Sequence, residues 1–219
     1  MEEFFLNLSN LIDHTNLKQD ARVCDIERLC READENNFAS VCVNPCYVAL
    51  ASRFLAVSAV RVCSVVGFPL GASTTEEKVF GAACASANGA SEIDMVINVS
   101  WIKDRRYDWV QKEISSVVKA VPDCLVKVII EACLLSREEI IDASALVKKS
   151  GAHFVKTSTG FSSGGANVDD VALIRSAVGN DFGIKASGGI KDYETAIALV
   201  RAGATRLGTS RSLEIIGNN

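Results

Sequence analysis

The stretch SGAHFVKTS, residues 150–158, joins two kinds of local structure without a linker. Gly151 suits the left-handed position that closes a helix. The apolar run that follows it, Ala152 to Val155, begins a strand at once. The same junction recurs as NGASEIDMVIN (88–98) and AGATRLGTS (202–210). Three copies of one helix–Gly–Ala–strand junction predict a repeated unit. The stretch also holds a residue out of place. Lysine is depleted from strands and is seldom buried without a partner. Lys156 therefore either reaches water from a sheet edge or is held inside for a purpose.

Working outward, eight strands are predicted at 11–14, 39–43, 61–66, 92–98, 125–131, 153–157, 183–186 and 205–208. Helices fall between them. One opens at Gln19 or Asp20 and carries Val23, Ile26, Leu29, Cys30 and Ala33 at helical spacing. Thr74 with Glu77, and Ser136 with Glu139, have capping-box spacing. Asp192 is a candidate N-cap, and 107–120 and 169–178 read as helices. Short links between alternating strands and helices demand parallel, right-handed crossovers. Eight such units in 219 residues leave about 27 residues each, enough for a single-domain (β/α)8 TIM barrel over 1–219. A doubly wound open sheet is the alternative, but it would carry an early Gly-rich nucleotide turn, and none follows the first strands.

Composition narrows the class. A hydrophobic fraction of 48% with 23% charged residues is that of an ordinary globular chain. A net charge of −4 argues against nucleic acid or an anionic membrane as partner. The opening MEEFFLNLSN is acidic where a signal peptide would be basic, and no apolar run is long enough to span a bilayer. The eight cysteines include no CxxC, so reduced thiols in a cytoplasmic protein are expected, with no metal site.

Side chains alternate across a strand. In six of the strands one face is apolar, as with Ile93, Met95 and Ile97, or Val126, Val128 and Ile130. If that face meets the helices, the barrel interior receives Asp13, Cys42, Asp94, Lys127, Glu131, Lys156 and Lys185. Single charges of this kind could face solvent from an open sheet. So many on one inferred face would be costly to bury unless paired or used. Lys156 and Lys185 lie on consecutive strands, and a neighbouring cation disfavours protonation of a lysine, which frees its amine for attack on a carbonyl. Asp94 could pair with Lys185 and move protons through water. Three Gly-rich turns face the same mouth: TGFSSGG (159–165), ASGGI (186–190) and LGTSRS (207–212). The turns after strands seven and eight are where barrels commonly hold phosphate.

Together IDHT (12–15), VGFPLG (66–71), EIDMVIN (92–98), KVIIEACLL (127–135), VKTSTGF (155–161), IKASGGI (184–190) and RLGTSRS (206–212) resemble the deoxyribose-phosphate aldolase family, in its order and over nearly the whole chain. The resemblance implies a cofactor-free class I aldolase that reversibly cleaves 2-deoxy-D-ribose 5-phosphate to acetaldehyde and D-glyceraldehyde 3-phosphate. It implies that Lys156 forms the Schiff base, that Lys185 perturbs it, and that Asp94 donates and accepts protons. Gly160, Gly188, Gly189, Gly208 and Ser210 would hold the phosphate, Cys42 would line the substrate, and Asp13 would orient a hydroxyl or water. The partner is then a small phosphosugar, with a homo-oligomer, dimer or tetramer, as the compatible assembly. Thr209 and Arg211 depart from the small residues common in the family's last turn. The chain closes on EIIGNN, without the tyrosine some members use for proton exchange, which leaves that step to water and Asp94. A phosphosugar isomerase working with carboxylates, or a non-catalytic phosphometabolite-binding barrel, shares the turns but needs no inward lysines.

Overall fold

A computed structural model describes residues 8–217 of the chain. Eight parallel strands close on themselves in chain order. They are β1 (Ile12–Asn16), β2 (Ser40–Val43), β3 (Arg61–Val66), β4 (Glu92–Val96), β5 (Leu125–Ile129), β6 (Phe154–Lys156), β7 (Gly183–Ser187) and β8 (Arg206–Thr209). The closing pair sets Asp13 beside Gly208 and His14 beside Thr209. The (β/α)8 barrel is therefore the fold. The acidic segment 1–7 and the terminal Asn218 and Asn219 lie outside the described residues.

The outer ring is α1 (Val23–Glu35), α2 (Val48–Phe54), α3 (Thr75–Ala87), α4 (Val99–Lys103), α5 (Tyr107–Ala120), α6 (Arg137–Lys149), α7 (Val168–Val178), α8 (Tyr193–Arg201) and α9 (Ser212–Ile216). Thr74 and Ser136 accept from the backbone N–H groups of Glu77 and Glu139, so both capping boxes form. Asp192 caps α8 through the Thr195 N–H. The first helix differs from its predicted start. Neither Gln19 nor Asp20 caps it; it begins at Val23, where the Arg22 N–H donates to the Asp25 carboxylate. Val23 is consequently exposed, and only Ile26, Leu29, Cys30 and Ala33 turn inward.

One face of each strand packs on these helices. Ile12, Val41, Val43, Ile93, Met95, Val126, Val128, Val155 and Ile184 belong to a continuous buried core between sheet and helices. The opposite faces fill the barrel interior, as the alternation requires. All eight cysteines are free thiols. No described helix is long and apolar enough to cross a membrane.

A second buried ionic contact lies outside the barrel. Lys78 on α3 donates to Glu113 on α5 at 2.6 Å and to the Gly71 carbonyl at 2.7 Å. The other Glu113 oxygen accepts the Asn98 N–H at 3.2 Å. This pair anchors the loop 67–71, whose Phe68 ring meets Phe161 edge-on with centroids 5.2 Å apart.

Candidate active site

Strand alternation brings seven charged side chains into the lumen, and each reaches a partner. Asp94 stands at the centre. Its Oδ2 accepts from Lys156 Nζ and from Lys185 Nζ, each at 2.7 Å, and its Oδ1 accepts from Lys127 Nζ at 2.9 Å. Lys127 also meets Glu92 at 2.5 Å. Asp13 contacts Lys185 through one oxygen and Arg206 Nη1 through the other, the latter at 2.6 Å. Arg206 reaches Glu92 at 3.3 Å and lies over the Phe154 ring. Four cations, Lys127, Lys156, Lys185 and Arg206, thus face three carboxylates, Asp13, Glu92 and Asp94.

Charge pairing overcomes desolvation here. Burial alone would raise the Asp94 carboxyl, but Lys127, Lys156 and Lys185 hold it well below the usual carboxylate range. Asp13 is depressed likewise: burial opposes, and Lys185, Lys127 and Arg206 prevail. Burial would lower Lys185, yet Asp13 and Asp94 push it above the ordinary lysine value. Lys127 is pushed well up by Asp94, Cys63, Asp13 and Glu92 against the same burial.

Above this network the C-terminal ends of the strands open into a cavity of about 390 Å³. Lys156, Gly160, Gly188, Gly189, Gly208 and Ser210 are among its walls. Lys156 is the one interior lysine on that wall; Lys127 and Lys185 are sealed beneath it. The glycines are there for conformation or for space. Gly160, Gly188 and Gly189 have positive φ, which side chains rarely adopt. A Cβ on Gly208 would come within 2.9 Å of the Lys185 stem, and one on Gly165 within 2.2 Å of the Gly188 carbonyl oxygen. The turns after β6 and β7 therefore touch backbone to backbone.

Hydroxyls join the turns further. The Ser187 N–H donates to Thr157 Oγ1 at 3.2 Å, and Ser187 Oγ donates to the Ser158 carbonyl at 2.6 Å. Thr209 Oγ1 donates to the Ile190 carbonyl at 2.8 Å and accepts from the Arg211 N–H at 3.0 Å. The threonine that departs from the small residue common there thus ties the β8 turn to the β7 turn.

Asp13 and Cys42 lie in the barrel interior as alternation requires, but away from the cavity wall where the resemblance put them, and Glu131 stays outside the lumen network. Asp13 does not face the cavity: it is fully buried and both oxygens are taken by Lys185 and Arg206. Cys42 is 1% exposed and packs with Leu17, Cys63 and Val65 instead of lining the cavity. Glu131 has left β5 and turned left-handed, at φ 51°. Its carboxylate accepts the N–H and hydroxyl of Thr159, so it fixes the turn after Lys156 and takes no part in the lumen network. Arg206 and Glu92 complete the network beyond the predicted set. Arg206 alternates with outward Leu207, and Glu92 shares the Asp94 face, so the period-2 signal was present for both.

Cys42, Cys63 and Asp94 are the trio whose donor atoms, among the described residues, have metal-ligand spacing, all within 4.8 Å of one another. The electrostatics oppose a cation there. Asp94 is already shared by three ammonium groups, and Lys127 Nζ lies 3.4 Å from the Cys63 sulfur.

Residues 8–215 match the model of the DeoC/LacD family aldolases. The chain is 54% identical over 218 residues to a deoxyribose-phosphate aldolase of Caldanaerobacter subterraneus subsp. tengcongensis, covering 98% of this chain and 94% of that protein. It is 55% identical over 212 residues to one of Clostridium novyi, covering 96% of each. The structure of deoxyribose phosphate aldolase from Aeropyrum pernix, described as a unique tetramer, superposes with a TM-score of 0.90 at 34% identity, over 96% of this chain and 89% of that one.

Proposed function

This chain belongs to the DeoC/LacD aldolase family, and from that premise we propose that it is a class I deoxyribose-phosphate aldolase with Lys156 as its Schiff-base nucleophile. The observation that carries the assignment of Lys156 is its position. It alone among the interior lysines lines the cavity, while its Nζ touches the Asp94 carboxylate beneath.

In the proposed cycle the free amine of Lys156 attacks C1 of the ring-opened sugar. Loss of water from the adduct gives an iminium, an electron sink. A base then takes the proton of the C3 hydroxyl, the C2–C3 bond breaks, and D-glyceraldehyde 3-phosphate leaves. The electron pair of that bond becomes the C1–C2 enamine on Lys156. Protonation at C2 and hydrolysis of the iminium release acetaldehyde and restore the amine. Asp94, with the Lys185 ammonium, relays the protons by way of water; their contacts to one another and to Lys156 support this role. The glycine turns after β7 and β8, with Ser210, hold the phosphate through backbone N–H groups. Asp13 acts on the substrate only through Lys185.

The tetramer described for the Aeropyrum pernix relative supports a homo-oligomer for this chain, and the acidic charge and absence of CxxC support a cytoplasmic one. Incubation with acetaldehyde and borohydride tests the chemistry. An ethyl adduct on Lys156, absent in Lys156→Ala, is expected; an adduct on another lysine, or none, rejects the mechanism. A carboxylate-driven isomerase or a binding barrel would give no adduct.

A further inference from the structure

We propose that His14, acting through Ser212 and Glu32, is a positioning residue that presets the turn after β8 for a phosphate group, and so sets the preference for phosphorylated over free sugar. The inference rests on the phosphate-holding role given above to that turn.

The geometry is a hydrogen-bonded chain across the seam that closes the barrel. His14 Nε2 lies 2.8 Å from Glu32 Oε2 on α1, and His14 Nδ1 lies 2.7 Å from Ser212 Oγ at the start of α9. An ionised carboxylate only accepts, so Glu32 fixes the proton on Nε2. Nδ1 is then an acceptor, and the Ser212 hydroxyl donates to it. Burial keeps the ring below the ordinary histidine value against the pull of Glu32, in keeping with that neutral tautomer.

The same histidine holds the other end of the turn. In the β1–β8 register its backbone is the partner of Thr209. The segment Ser210–Arg211 is therefore pinned on both sides by one residue: by main chain at Thr209 and by side chain at Ser212. Ser212 is fully buried behind the turn, while His14, though only 4% exposed, borders the same cavity as the exposed Ser210. Phe38 packs on the imidazole with centroids 5.3 Å apart, which leaves the ring little room to turn. Without the Ser212 bond, Ser210 and its neighbours keep their covalent link to β8 but lose the far anchor. Lys156, Asp94 and Lys185 stand on other strands and are untouched by the change. The effect should accordingly fall on phosphate recognition and spare the amine chemistry.

Calorimetric titration with inorganic phosphate decides the point without reference to catalysis. Ser212→Ala should weaken phosphate binding about tenfold, the loss of one buried hydrogen bond, while Ser212→Thr, which keeps the hydroxyl, should restore most of it. In turnover, Ser212→Ala should raise KM for 2-deoxyribose 5-phosphate by about the same factor with kcat within about twofold. Cleavage of unphosphorylated 2-deoxyribose, and borohydride trapping of acetaldehyde, should stay at wild-type levels. Equal phosphate affinity in wild type and Ser212→Ala, or an equal loss with both sugars, overturns the inference. Should Ser212→Ala fail to fold, Ser212→Cys, which keeps the size but is a weak donor, is read in its place: a weaker loss, about threefold, supports the inference and none overturns it. Failure of the aldolase reading looks different. There the wild type forms no Lys156 adduct, whatever phosphate titration shows.

Discussion

The molecule buries two ionic assemblies, and they behave in opposite ways. In the barrel lumen Asp13 and Asp94 are depressed and Lys127 and Lys185 are raised, so these groups keep their charge. Between α3 and α5, burial drives Lys78 below the ordinary lysine value and Glu113 above the usual carboxylate range, against their mutual attraction. The pair is short, at 2.6 Å, so distance is not the difference. The number of partners is. Asp94 faces three ammonium groups, while Glu113 faces one. One neighbour does not repay desolvation, and several do.

Carboxylate-to-amide replacement at the two centres sharpens this contrast, and the largest effect is expected in the lumen. Asp94→Asn leaves three lysines around a neutral group and should cost about 3–5 kcal/mol of stability at neutral pH, with activity reduced about 100-fold or more. Glu113→Gln should cost only about 1–2 kcal/mol, because burial already offsets much of what the ion pair contributes. Urea unfolding of both variants measures the two losses; equal losses would break the partner-number account.

The pH dependence should separate the assemblies by sign. The Asp94 contribution is present above the unfolded carboxyl value, about 4, and is lost as pH falls through the depressed folded value. The gap between wild type and Asp94→Asn should therefore narrow in acid. Glu113 has the reverse sign: its folded value is raised, so its favourable contribution is present below the unfolded value and is lost as pH rises through the folded one. The gap between wild type and Glu113→Gln should widen as pH falls through that window. Unfolding curves for each variant taken at intervals from neutral to acid pH are the check, and matching slopes would refute the contrast.

The smallest effect is expected at the surface. Lys103 and Glu139 lie 2.5 Å apart, but the lysine is 45% exposed. Lys103→Ala should change stability by less than about 1 kcal/mol, and high salt should erase the difference. A larger, salt-resistant loss would mean that partner number and burial are not the controlling variables.

The barrel was legible because two independent signals agreed: the Gly–Ala junctions that end helices, and the alternation that gave six of the strands one apolar face. Alternation also found the trio proposed for catalysis, since Asp94, Lys156 and Lys185 all lie opposite apolar or β-branched neighbours. It names a face and not a depth, however. Asp13 and Cys42 share the lumen face with Lys156 but sit below the cavity floor, and nothing in a period of two reports height. Glu131 escaped it for another reason: its backbone turns left-handed, and the count along the strand ends there. The short helices α2 and α4 carry too few turns to show a period. The contact of His14 with Ser212 spans 198 residues and exists only because the barrel closes.

The contact of Gly165 with Gly188 bears on how this scaffold can diversify. Main chain lies against main chain there, with no side chain to exchange. That contact offers natural variation or laboratory evolution almost nothing to select, because any enlargement displaces two loops together. The cavity wall at the end of β1, which carries Thr15 and Lys18, presents side chains instead. New acceptor aldehydes should therefore be won by substitutions on the β1 side, with the glycine side inherited unchanged.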